Sequence, residues 1–123
     1  MELNEISGLI VDAAINVHKN LGPGLLENIY EEALCYELEK RRLEYSTQMA
    51  IKVPYEDIVL KSQYRLDTLV GNKIILELKC VDRLLPIHDA QLLTYLKISN
   101  KKLGLLLNFN APLMKDGIKR IIL

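Results

Sequence analysis

Residues 103–109, Leu103-Gly104-Leu105-Leu106-Leu107-Asn108-Phe109, form an almost wholly apolar run. It falls far short of the ~20 residues needed to cross a bilayer. It reads as a strand buried on both faces, and such strands occur in sheets covered by helices on either side. The rest of the chain must therefore supply covering helices and neighbouring strands.

The helices are visible by period. Between residues 4 and 20 a stripe of Ile6, Leu9, Ile10, Ala13 and Val17 predicts a first helix. Leu21-Gly22-Pro23-Gly24 ends it. A second helix is predicted from about Leu25 to Arg42, with a wide apolar arc of Leu26, Ile29, Tyr30, Ala33, Leu34 and Leu38. The period then drops to two. Met49, Ile51 and Val53 alternate with polar residues. From Ile58 to Val70 one face reads Ile58, Leu60, Tyr64, Leu66, Val70, and the other Lys61, Gln63, Arg65, Asp67. After a hairpin signal at Gly71-Asn72, Lys73 to Val81 places Ile74, Leu76, Leu78 and Cys80 on one side and Ile75, Glu77 and Lys79 on the other. Pro86 opens a third helix reaching about Ser99, and Ile118 to Leu123 forms a last strand. The order is α-α-β-β-β-α-β-β, which predicts an α/β fold with a central sheet flanked by helices.

At 123 residues the expectation is a single domain over 1–123. Sixteen basic and sixteen acidic residues cancel, so any polyanion site must be local. Cys35 and Cys80 make no disulfide framework, and the acidic start Met1-Glu2-Leu3-Asn4-Glu5 is unlike a secretory leader. A cytoplasmic protein without membrane contact is expected.

Two acids and a lysine interrupt strands that otherwise look buried. Glu77 and Lys79 share a face because they are two residues apart. A two-residue Gly71-Asn72 loop would put Asp67 opposite Leu76, on the wrong face. A three-residue loop through Lys73 puts Asp67 opposite Glu77 and Arg65 opposite Lys79. The apolar pattern selects the latter, because Leu66 then shares the core face with Leu76 or Leu78. Two carboxylates at cross-strand distance repel and need compensation. Mg²⁺ or Mn²⁺ would provide it, with Lys79 positioning a water or stabilising charge on phosphorus. An alternative is an ion-pair cluster in which Arg65 and Lys79 neutralise Asp67 and Glu77.

The stretch Arg65-Leu66-Asp67-Thr68-Leu69-Val70, followed by Ile74-Ile75-Leu76-Glu77-Leu78-Lys79, resembles the core motif of the PD-(D/E)XK nuclease superfamily. Upstream, Gly24-Leu25-Leu26-Glu27-Asn28-Ile29-Tyr30 spells GxxExxY, the motif of a family of small proteins within it. The resemblance implies a restriction-endonuclease-like mixed sheet. It implies a divalent ion held by Asp67, Glu77 and the Leu78 carbonyl, with Lys79 as catalytic lysine. Leu66 stands where the motif's proline would be. In RecB-like nucleases an N-terminal helix reaches the metal, a role Glu27 would fill; otherwise Glu27 is a helix cap to Gly24. Gln91-x-x-x-Tyr95 is similar to the QxxxY element of the same enzymes and shares a helical stripe with His88. These three would contact substrate or orient the lysine, or else form the polar edge of an ordinary amphipathic helix. Arg65 would contact the phosphate or pair with Asp67. His18 is expected to be a packing histidine, and Tyr30 a core residue with its hydroxyl bonded.

The expected function is Mg²⁺-dependent hydrolysis of phosphodiester bonds in DNA, with RNA second. It needs no nucleotide cofactor, and the size admits a homodimer. The alternative is a catalytically silent nuclease-fold module that binds a protein or nucleic acid. Hydrolysis of a small phosphate ester is a third option.

Overall fold

The computed structural model describes residues 1–123. Its elements follow the expected order: α1 (Leu3–Leu21), α2 (Glu27–Lys40), β1 (Tyr45–Tyr55), β2 (Ile58–Val70), β3 (Ile74–Lys79), α3 (Pro86–Ser99), β4 (Leu103–Asn108), a 3₁₀ turn (Met114–Gly117) and β5 (Ile118–Ile122). Only the 3₁₀ turn was not foreseen. No helix is long and apolar enough to cross a membrane.

The strands form one mixed five-stranded sheet in the order β1-β2-β3-β4-β5. β3 and β4 are parallel, from Ile74↔Leu103 to Lys79↔Asn108, and the other pairs are antiparallel. The parallel pair follows from α3, which carries the chain back across the sheet. All six residues of β4 are buried. Leu103, Leu105 and Leu107 join the cluster under α1 and α2, and Leu106 joins the one under α3. Each such leucine contributes about 1.5–3 kcal/mol of burial. Gly104 lets α3 sit close: a Cβ there would meet Leu92 at 2.8 Å. On the other face Arg41 ties the two helices, reaching Asp12 of α1 at 2.9 Å and Glu37 of α2 at 2.7 Å. It is therefore a clamp between the two helices.

The hairpin between β2 and β3 has the expected three-residue loop. Gly71 (φ 60°) and Asn72 (φ 56°) are left-handed, and the Lys73 N–H donates to the Val70 carbonyl at 3.0 Å. Both residue types tolerate that conformation. The register is Thr68↔Leu76, Leu69↔Ile75 and Val70↔Ile74.

The two-faced pattern expected for β2 requires correction. Leu66 does not share a core with Leu76 and Leu78. It packs with Ile75, Leu92 and Tyr95 under α3, whereas Val70, Leu76 and Leu78 pack under α1 and α2. The partner strand changes face at the same level, with Tyr45 on the α1–α2 side and Met49 and Ile51 on the α3 side. Between them lies Gln48, at φ 52°. A left-handed residue inside a strand breaks the alternation as a bulge does. Ile58 and Leu60 at the far end of β2 are exposed and join neither core.

Candidate active site

The ladder between β2 and β3 ends at Thr68↔Leu76, and the two strands diverge beyond it. The register would next set Asp67 across from Glu77. Here Asp67 Oδ2 accepts the Leu78 N–H at 2.9 Å, so a side chain stands in for the ladder. β3 stays fully paired to β4, and this keeps Glu77 and Lys79 on a rigid strand.

Glu77 is only 5% exposed, and its Oε1 is buried without a hydrogen-bond partner. Burial, and then the neighbouring Asp67 carboxylate, push its carboxyl up to about 9, while Lys79 pulls it down only in part. At neutral pH the pair therefore demands a positive charge, either a proton or a cation. The ion-pair cluster considered from the sequence does not supply one. The ion pairs of the fold are Lys40–Glu37, Arg41–Asp12, Arg41–Glu37 and Lys119–Asp89. Arg65 is exposed and Lys79 partly so, and neither comes within salt-bridge distance of the two acids.

Two further elements converge here. Tyr30, wholly buried and stacked on Phe109 at 4.6 Å, donates its hydroxyl to the Gly22 carbonyl (2.5 Å) and accepts the Leu25 N–H (3.1 Å). This fixes the loop so that α2 starts at Glu27, with Leu26 rather than Gly24 preceding it. The alternative reading of Glu27 as a helix cap to Gly24 is therefore not realised. Glu27 is exposed but electrostatically close to the site. Burial raises its carboxyl first, then the charge of Asp67, while Lys79 lowers it. One turn on, Glu31 accepts from Gln48 Nε2 at 3.0 Å and also senses Asp67. Neither Glu31 nor Gln48 stood out in the sequence, because their relation depends on the kink in β1.

From α3, the buried Tyr95 packs edge-on against Tyr64, with ring centroids 4.7 Å apart. Its hydroxyl is raised by burial, then by Glu77, Tyr64 and Asp67. Gln91 lies one turn earlier and is exposed. His88 accepts the Leu85 N–H through Nδ1 at 2.9 Å, which assigns any proton of the neutral ring to Nε2. His18 Nε2 bonds the Ala111 carbonyl at 2.7 Å, as expected of a packing histidine.

Asn108 is the residue that sequence reasoning missed most plainly, because it is hidden in an apolar run. It is 2% exposed and lies beside Lys79 in the parallel register. Its amide donates to the Val81 carbonyl (2.9 Å), and its Oδ1 accepts from Val81 (3.1 Å) and Asn110 (3.2 Å). It thus holds the chain just after Lys79. Asn108→Leu strands buried backbone groups and is expected to destabilise the protein by about 2–4 kcal/mol, read as a fall in urea midpoint. A change below about 0.5 kcal/mol would rule out this bracing role.

The sequence model for the PD-(D/E)XK nuclease superfamily matches residues 4–121. The chain belongs to that superfamily. Searches of curated proteins and of solved structures returned no match. Members of the superfamily typically use a divalent metal. The donor set fits such an ion: Asp67 and Glu77 are hard oxygen donors, and Glu77 Oε1 is buried without a hydrogen-bond partner. No three acidic, histidine or cysteine side chains converge tightly enough to hold an ion by themselves. The remaining positions would fall to backbone and water oxygens, which suits Mg²⁺. Glu27 is not drawn in as a third carboxylate.

Proposed function

We propose that this superfamily member is a metal-dependent nuclease hydrolysing phosphodiester bonds of DNA rather than RNA. The observation that carries the reading is the buried Glu77 carboxyl, its Oε1 without a hydrogen-bond partner, beside Asp67 where two strands diverge, with Lys79 free of ion pairs on the same strand face. A stability-driven cluster would pair those charges.

Asp67 and Glu77, with the Leu78 carbonyl, would hold Mg²⁺ or Mn²⁺. When bound, the ion supplies positive charge at the phosphate and eases attack by water. Lys79 orients that water and stabilises charge on the phosphoryl oxygens. Tyr95 lines the site beside Glu77, and Gln91 and the Nε2 edge of His88 contact substrate from the same helix. Arg65 binds the flanking phosphate, and its planar fork suits two phosphate oxygens. Glu27 faces the site from α2 and would hold water of the ion's shell. The GxxExxY pattern of Gly24 to Tyr30 then has a physical meaning. The tyrosine anchors the loop, and the anchored loop aims the glutamate.

The test is cleavage of single-stranded DNA, duplex DNA and RNA with Mg²⁺, Mn²⁺ or EDTA, beside Glu77→Ala. Cleavage should require metal and fall by about 10³-fold or more in the variant. Absent cleavage together with absent Mn²⁺ binding by calorimetry would favour a nuclease-fold module that binds without cutting.

A further inference from the structure

β1 and β2 outrun the sheet. β2 pairs with β3 only over Thr68–Val70, but with β1 as far as Tyr55↔Ile58. At ~3.3 Å per residue, the stretch from Asp67 to Ile58 reaches about 30 Å. α3 supports only its base, where Met49, Ile51, Tyr64 and Leu66 pack on one face. Beyond that the ribbon stands free, with Tyr55, Ile58 and Val59 58–59% exposed.

The opposite face has a different chemistry. The pairs Ala50↔Arg65 and Lys52↔Gln63 share it, and Lys61 follows in the bulged stretch of β2 where the register shifts between Lys52 and Pro54. Lys52, Lys61 and Arg65 are not buried and none is in an ion pair. The only acids between Met49 and Leu66 are Glu56 and Asp57, confined to the turn at the tip. In a chain of zero net charge this is a segregated cationic strip. Its inner end, Arg65, is two residues from Asp67 along β2, just before the level at which the strand changes face.

We propose that this ribbon is a duplex-holding arm: its cationic face lies along double-stranded DNA, with Lys52 and Lys61 against backbone phosphates, and delivers the strand to Asp67 and Glu77. Unpaired cations on the strand that carries Asp67 into a phosphate-handling site match a polyanion. A two-stranded ribbon also has the width that the DNA major groove admits, whereas an isolated single strand needs no arm of this length. The inference rests on the nuclease reading and specifies its substrate as duplex.

The test uses the full chain carrying Glu77→Ala, in EDTA, with and without Lys52→Gln and Lys61→Gln. Fluorescence anisotropy follows a labelled 30-base-pair duplex and a 10-nucleotide single strand across a salt series. The lysine pair should weaken duplex binding by about tenfold and lower the slope of log K against log salt by ~2, with little effect on the single strand. Unchanged duplex affinity and slope would overturn the arm. So would Ile58→Ser and Val59→Ser converting a dimer to a monomer by light scattering while duplex affinity stays unchanged, because the arm would then be a contact between copies. Arm-dependent duplex binding in a wild-type chain that cuts nothing would leave the arm standing and remove only the nuclease reading.

Discussion

Lys79→Met should lower cleavage by about 10³-fold or more while leaving the fold and the metal affinity in place. The separation follows from what Lys79 does not touch. It lies on a strand held by β4, and no ion pair holds its ammonium group. Loss of the charge therefore breaks no structural contact, and the methionine keeps most of the apolar stem. Thermal unfolding should stay within a few degrees of wild type. Mn²⁺ binding by calorimetry should be retained or tightened, because a neighbouring positive charge has gone. A well-folded Lys79→Met chain that still cuts within tenfold of wild type would exclude the lysine from the reaction. Loss of Mn²⁺ binding would instead assign it to holding Asp67 and Glu77 in place.

Glu77→Gln should stabilise the metal-free protein as pH rises, and at the same time abolish stabilisation by metal. An acid raised from 4.5 in the unfolded chain to about 9 in the fold binds its proton more tightly when folded. Its favourable contribution is complete below pH 4.5 and is lost progressively as pH climbs through 9. Glutamine mimics the protonated acid and does not titrate. Wild type and variant should therefore agree near pH 4 and diverge above it, the variant gaining on the order of 2–3 kcal/mol by pH 7. For a domain of this size that is a rise of roughly 5–15 °C in melting temperature. Mg²⁺ or Mn²⁺ at 100 times Kd should lift the wild type by about 2.7 kcal/mol and leave the variant unmoved. Parallel stability–pH curves for the two proteins would mean that the carboxylate is compensated by something other than proton or metal.

With those outcomes, the two substitutions would assign Glu77 to the electrostatic demand of the site and Lys79 to its chemistry. Asp67 links them, because its Oδ2 is tied to the Leu78 N–H between the two residues.

What the sequence determined by itself was local. Periodicity placed all three helices and five strands, because amphipathic spacing follows from the geometry of each element alone. The Gly71-Asn72-Lys73 loop was legible because left-handed conformations act over a few residues, and its register is the expected one although the Leu66 pairing offered for it is not found. The alignment of Asp67 with Glu77 followed from that register. Tertiary structure decided what surrounds those acids. Glu77 is buried at 5% exposure on a strand paired along its length with β4, whose residues lie nearly thirty positions away in sequence. Asn108 braces the chain after Lys79 from within a run that reads as core. Gln48 turns the faces of β1 beside Asp67 and reaches Glu31 on another helix. The failed expectation for Leu66 has the same origin. Strict alternation holds only while every residue stays extended, and one left-handed residue on the partner strand ended it. A pattern along one strand carries no record of such a kink in its neighbour, so the geometry of the site becomes visible only when the strands are assembled.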